Sequence, residues 1–181
     1  MRASRVRIIG GTWRSRLISF PPRQDLRPTP DRVRETLFNW LGQDLTGKAC
    51  LDLFAGSGAL GFEAASRGAR RVVMVERDAR TVRALGASRD ALQAAAVELN
   101  RADALEFLRD GADVYDVVFL DPPFKADLWP WLAPLLPRRL MPEALVYYES
   151  AARPDLAPEW VVHRQGQAGQ VRYQLLKRGQ A

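Results

Sequence analysis

The chain has 181 residues, 47% of them hydrophobic and 27% charged, which suits one full-sized globular domain with a small extension, is short for two domains, and excludes a disordered or fibrous polypeptide. Its net charge of +6 and pI of about 10.1 favour a polyanionic partner, nucleic acid or an anionic membrane surface, and say nothing of the fold. The single cysteine, Cys50, excludes an internal disulfide, no apolar run reaches the roughly 18 residues of a bilayer span, and the basic start MRASRVRIIGG lacks an apolar leader segment, so a reducing, cytoplasmic setting is expected.

Residues 1–28 carry seven arginines, Arg2, Arg5, Arg7, Arg14, Arg16, Arg23 and Arg27, against one acid, Asp25. RVRII and SRLISF alternate as two strands joined through GGTW, which predicts a small hairpin. Trp13 and Phe20 interleave aromatic rings with these cations, the pattern of a nucleic-acid surface; a solvated, flexible arm is the plainer alternative. The arm is read as 1–28 and the main domain as 29–181, with an α/β core over 48–181 that is expected to fold without the hairpin.

RPTPDRVRETLFNWL places Thr29 as an N-cap, Pro30 at the first helical position, and Val33, Leu37, Phe38 and Leu41 on one face, predicting a helix over 30–42 that packs on the core. Beyond it ACLDLF, containing Cys50 as a small buried hydrophobe, then RRVVMVE, VELNRAD and YDVVFLD read as buried parallel strands. Helices near 58–68, 78–95, 104–110 and 127–140 lie between and after them, and ALVYYES is a fifth strand. The tail, WVVHRQGQAGQVRYQLLKRG, reads as an antiparallel pair around a glycine turn. Alternating β and α elements predict a doubly wound α/β sheet whose ligands sit beyond the carboxyl ends of its strands.

In LDLFAGSGALG, Gly56, Gly58 and Gly61 have the G-x-G-x-x-G spacing that lets a ligand approach a helix N-terminus, and Glu76 ends the next strand where a carboxylate can accept ribose hydroxyls. NAD and S-adenosylmethionine fit this pattern equally well. No Lys-Ser/Thr pair follows the glycines, so it is not a P-loop. The discriminating stretch is VVFLDPPF. An exocyclic amine is a poor nucleophile until pyramidalised, and Asp121 with the carbonyl of Pro122 can accept its two N–H bonds and favour that geometry. Pro122 and Pro123 stiffen the turn, and Phe124 offers a face on which an extruded base can stack. A plain strand-ending turn is the alternative. His163 is the only histidine, and without partners at ligand spacing no catalytic metal is expected.

RIIGGTWRSRLISFP, RPTPDRVRETLFNWL, LDLFAGSGALGFEAASRGA, VVFLDPPF and AGQVRYQLLKR together resemble the bacterial RsmD family, which methylates N2 of one guanine in 16S rRNA. The resemblance runs almost end to end; its specific marks are the arm and the RPTPDRVRE segment, since the glycine loop and Asp-Pro-Pro-Phe are shared with other methyltransferases, adenine-N6 enzymes included. It implies a class I S-adenosylmethionine-dependent methyltransferase fold, a mostly parallel seven-stranded sheet with its last strand antiparallel, preceded by the hairpin. It also implies S-adenosylmethionine as donor and 16S rRNA in the assembling small ribosomal subunit as substrate, with the chain acting as a monomer and without a membrane. By position, Asp52, Phe54, Gly56, Ser57 and Gly58 then form the methionine side of the donor site, Glu76 meets the ribose, and Asp103 with Ala104 meets the adenine, although Asp103 also reads as a helix cap. Arg5, Arg7, Arg14, Arg16 and Arg27, with Arg32 and Arg34, would contact RNA phosphates. Ser88 departs from the asparagine common among relatives. The rival readings are an adenine-N6 or other nucleic-acid amino-methyltransferase and, from another class, an NAD-binding oxidoreductase.

Overall fold

The computed structural model describes residues 4–22, 28–123 and 127–179. The arginine-rich segment folds as the expected hairpin, β1 (Ser4–Arg7) antiparallel to β2 (Leu17–Phe20), with Val6 opposite Ile18. Then follow α1 (Asp31–Leu41), β3 (Ala49–Asp52), α2 (Ala59–Ser66), β4 (Arg71–Val75), α3 (Ala79–Leu92), β5 (Val97–Asn100), α4 (Ala104–Asp110) and β6 (Tyr115–Leu120). A short α5 (Trp129–Leu132) precedes β7 (Leu140–Ser150), β8 (Trp160–Ala168) and β9 (Val171–Arg178).

The main sheet has seven strands in the order β5-β4-β3-β6-β7-β9-β8. Its first five strands are parallel, and β9 enters antiparallel between β7 and β8. Both faces are covered, which is why the strands read as unbroken apolar runs. Alternate residues serve two cores. Cys50, Val72, Met74, Val117, Phe119 and Tyr147 meet the hairpin and α1 to α3, while Leu51, Val73, Val118, Leu120 and Tyr148 meet α4 and α5. The parallel strands all run toward one edge, so the residues that follow β3, β4 and β6 gather there.

Three expectations need correction. Thr29 is not the helix cap: α1 starts after Pro30 without a side-chain cap, because the Thr29 hydroxyl donates instead to Glu149 Oε1 at 2.9 Å. The helix read over 127–140 shrinks to Trp129–Leu132 and a single 3₁₀ turn at Pro137–Arg139, with β7 starting at Leu140. Pro134 and Pro137 cannot donate to an i→i−4 ladder and break it. Lastly, the core is not independent of the hairpin. Val6, Ile8, Ile18 and Phe20 are all buried, in one cluster with Val33, Leu37, Phe38, Phe62 and Leu85.

Polar contacts lock this docking. Fully buried Glu63 of α2 accepts the N–H groups of Ile9 at 2.9 Å and Gly10 at 2.8 Å, and pairs with Arg34 at 3.2 Å and Arg67 at 2.9 Å. Ser66 accepts from Trp13 N–H at 2.9 Å and donates to the Gly10 carbonyl at 2.6 Å. Gly11, at φ +74°, lies so close to the Ser66 carbonyl that a Cβ would come within 1.9 Å of its oxygen, so only glycine fits this turn.

Glu63→Gln should lower stability by about 3–5 kcal/mol, because it takes the counter-charge from buried Arg67 and leaves buried Arg34 paired with Asp31 alone. Urea denaturation checks this; a midpoint equal to that of the unsubstituted protein would show that the network does not hold the hairpin.

Candidate active site

The turn from β3 into α2 is stitched to its neighbours by backbone bonds, Leu53 N–H to the Phe119 carbonyl at 3.1 Å and Ala55 N–H to the Val75 carbonyl at 2.9 Å. Gly58 caps α2 at φ +81°, and a Cβ there would come within 2.7 Å of Leu85 and Phe62. Gly61 packs α2 onto β4, with Met74 2.9 Å from the position of a Cβ. Of the glycines that define the motif, these two are therefore fixed by packing.

The acids predicted for the donor site converge on this turn. Glu76 Oε2 accepts Gly56 N–H at 3.1 Å and its Oε1 accepts Asp78 N–H at 2.8 Å, so the carboxylate ties the glycine loop to the end of β4. Asp52 is 1% exposed and accepts Gly61 N–H at 2.9 Å. Burial, with a smaller contribution from the Glu76 charge, pushes its carboxyl up to about 7. Phe54 is half-buried against the α4/α5 core, and buried Ser57 accepts Ala59 N–H at 3.3 Å, helping to start α2. Asp103 caps α4, its Oδ1 accepting Leu105 and Glu106 N–H at 2.9 and 3.3 Å, with buried Ala104 next to it. The cap is thus realised, and both cap bonds fall on one oxygen of that exposed carboxylate.

Asp121 follows β6 on the same edge, half-buried, with Pro122 buried and Pro123 exposed. Phe124 lies outside the described residues. Burial raises the Asp121 carboxyl well above the usual carboxylate range, reinforced by the charges of Glu149 and Asp52 and opposed by a hydrogen bond from Thr29. Glu149 is a site residue that sequence reasoning missed. Leu120 pairs with Tyr148, so Glu149, next to last in β7, stands beside Asp121. Its Oε1 accepts both the Thr29 hydroxyl at 2.9 Å and the Tyr147 hydroxyl at 2.8 Å, and its own carboxyl is raised, first by burial. The signal was there in ALVYYES, which carries an acid one position before its end, at the same strand end as Asp52, Glu76 and Asp121. Four carboxyl groups with few cations among them make an edge that suits a cationic ligand.

The arginines divide. Arg5, Arg14, Arg16 and Arg32 are exposed; Arg16 also reaches the Ala91 carbonyl at 3.3 Å, and Arg7, itself exposed, pairs with Asp31 at 3.1 Å. Arg34 corrects the expectation of a phosphate contact. It is wholly buried, bonded to Asp31 at 2.6 Å, to Glu63 and to the carbonyls of Thr29 and Arg7, so it braces α1 against the hairpin and cannot meet RNA. Arg27 lies outside the described residues. Cys50 is buried, His163 lies on β8 away from the acids, and among the described residues no three His, Cys, Asp or Glu side chains cluster to hold a metal. No described helix is long and apolar enough to cross a membrane.

Comparison with known proteins gives a family match to the model described as conserved hypothetical protein 95 over residues 6–177. The chain is 41% identical to the ribosomal RNA small subunit methyltransferase D of Escherichia coli K12, covering 97% of this chain and 91% of that protein. It is 41% identical to the protein of the same name from Haemophilus influenzae Rd, covering 94% and 92%. The solved structure of the Escherichia coli protein yhhF superposes with a TM-score of 0.87 at 42% identity, covering 97% of this chain and 98% of that one. A 16S rRNA N2 methyltransferase from Thermus thermophilus, solved in complex with AdoMet and guanosine, shares the fold, with a TM-score of 0.70 at 20% identity over 98% of this chain and 50% of that one.

The raised Asp52 carboxyl has a consequence for stability. A folded-state value near 7 against an ordinary 3.8 means that the native protein holds this proton more tightly than the unfolded chain. The stability this contributes is complete below pH 3.8 and is lost as pH rises to about 7. Asp52→Asn, which keeps an acceptor for Gly61 N–H, should remove this slope, so that relative to wild type it gains up to about 4 kcal/mol between the two ends of the window. Melting temperatures of the ligand-free proteins across that range test it; parallel pH profiles would show that Asp52 is not the titrating group.

Proposed function

Since the chain belongs to the conserved hypothetical protein 95 family, together with the ribosomal RNA small subunit methyltransferase D proteins, we propose that it transfers a methyl group from S-adenosylmethionine to the exocyclic N2 amine of a guanine in 16S rRNA. The observation that carries the reading is the convergence of Asp52, Glu76 and Asp121 on the edge that holds the glycine turn. That edge is acidic in a chain whose excess charge is positive and is displayed elsewhere, in part on the exposed arginines of the hairpin.

When bound, the donor supplies a methyl group made electrophilic by its sulfonium charge. Asp52, Phe54 and the Gly56–Ser57–Gly58 turn would hold its methionine end, Glu76 its ribose, and Asp103 with the Ala104 N–H its adenine. The cleft that results fits a cation, since two of its carboxyls are lifted by burial and among the described residues no ion pair relieves them. On the acceptor side, the Asp121 carboxylate and the Pro122 carbonyl accept the two N–H bonds of the amine, freeing its lone pair from the ring and aiming it at the donor. The nitrogen becomes acidic once alkylated, so no strong base is needed to take its proton; the crowded Asp121–Glu149 pair is suited to receive it. Arg5, Arg7, Arg14, Arg16 and Arg32 place the RNA of the assembling small subunit by its phosphates.

Methyl transfer to purified small ribosomal subunits, with the product nucleoside identified by mass spectrometry, tests the reaction and the target atom together; N6-methyladenosine as product would replace this reading with its nearest rival. Asp121→Ala should retain donor affinity and lose most methyl transfer, because its role is exerted on the amine; comparable turnover would remove Asp121 from catalysis. Glu76→Ala should weaken S-adenosylmethionine binding by about 1–3 kcal/mol, the range for hydrogen bonds to a charged group. Calorimetry reporting an unchanged dissociation constant would take Glu76 out of the donor site.

A further inference from the structure

The tail segment AGQVRYQLLKR has no part in the chemistry above, yet it builds a second polar cleft on the same edge of the sheet. The cleft encloses about 220 Å³ and is lined by Arg153, Gln165, Gly166, Gln167, Arg172 and Gln174. Its floor is two cross-strand pairs of β8 and β9, Gln165 opposite Gln174 and Gln167 opposite Arg172, which stand on one face because paired residues point the same way. Gln174 also pairs with Tyr148, and Tyr148 with Leu120, the residue before Asp121. Two strand spacings, about 10 Å, therefore separate Gln174 from the foot of the catalytic turn.

Gln174 is unusual for its position. It is 5% exposed, yet its Oε1 has no hydrogen-bond partner among the described residues. Leu176, on the same face of β9, is packed in the α4/α5 core, so an apolar side chain at 174 would serve the fold better. The oxygen itself has almost no accessible surface, but Gln174 lines the cleft, and a turn of its amide outward would let a ligand supply the missing bond.

We infer that this cleft is a binding subsite for one single-stranded nucleotide of the RNA, flanking the guanine presented to Asp121. The inference rests on the proposed methyl transfer to RNA and adds a second point of recognition to it. The lining has the two chemistries a nucleotide requires. Amides of Gln165, Gln167 and Gln174 both donate and accept, as base edges do, and the guanidinium groups of Arg153 and Arg172 match a phosphate. Among the described residues no carboxylate lines the cleft, in contrast to the neighbouring edge. An acidic peptide would use the two arginines and leave three amides unmatched, so RNA is the better fit.

The test is steady-state methyl transfer to small ribosomal subunits that lack the modification, with donor affinity followed by calorimetry. Gln174→Leu should raise KM for the subunit about tenfold, the effect of leaving one hydrogen bond to a buried group unmade, with kcat and donor affinity unchanged. Arg153→Ala with Gln167→Ala, both exposed and so outside the question of folding, should raise KM and reduce the salt dependence of RNA binding. Unchanged KM in both proteins overturns the subsite, and so does a Gln174→Leu protein that loses donor affinity, which would make Gln174 a structural residue. If wild type binds S-adenosylmethionine but transfers no methyl group to subunits, the proposed function fails and the subsite falls with it.

Discussion

One buried carboxylate, Glu63, organises the N-terminal half of the molecule. It lies inside α2 with no exposed surface, and its two oxygens hold Arg34 of α1, Arg67 at the end of its own helix, and two N–H groups of the hairpin. A charge so placed is costly to desolvate, and its attraction to the guanidinium groups offsets that cost only if the geometry is kept. The same carboxylate therefore fixes where the hairpin sits as well as whether it is held. From it follow the exposure of Arg5, Arg14 and Arg16 and the burial of Arg34, four arginines close in sequence with opposite fates.

The other organising feature is the division of charge. Positive side chains line the hairpin, where solvent and counterions leave them available to phosphates. Negative ones sit at the ends of β3, β4, β6 and β7, where burial raises Asp52, Asp121 and Glu149. The parallel topology produces this second arrangement directly: each strand delivers the residues around its carboxyl end to the same edge, so one acid per strand is enough to make an acidic cleft. A polyanion and a small cation can then be bound at once by one small domain without competing for the same groups.

Much of this was legible in the chain. The β/α alternation, the hairpin and the glycine turn are local patterns, and each appears where periodicity put it. What escaped were contacts between distant parts. Arg34 sits among hairpin-like cations in sequence, and nothing within its own helix marks Glu63, 29 positions away, as its partner. Thr29 looks like a cap because Pro30 follows it; its hydroxyl turns to Glu149, 120 positions away. The stretch 127–140 has helical spacing, but three prolines within it, Pro130, Pro134 and Pro137, leave only one short helix. Gln174 reads as an ordinary strand residue until its neighbours in the sheet show that its amide is enclosed.

The ends of the seven-stranded sheet also govern what the protein avoids. An open sheet has two margins of unpaired backbone, and each invites another chain to add a strand. On one side β5 spans only Val97–Asn100, and its Glu98 is gripped by Arg71 through two bonds of 2.8 Å. On the other, β8 is nine residues long with Val161 and Val162 exposed, a template for lateral growth were it straight. Its pairing with β9 skips a residue between Val162 and Arg164, bending the strand at His163 and setting a cation into the margin. An irregularity that looks like a defect of pairing thereby makes this margin a poorer template for an added strand.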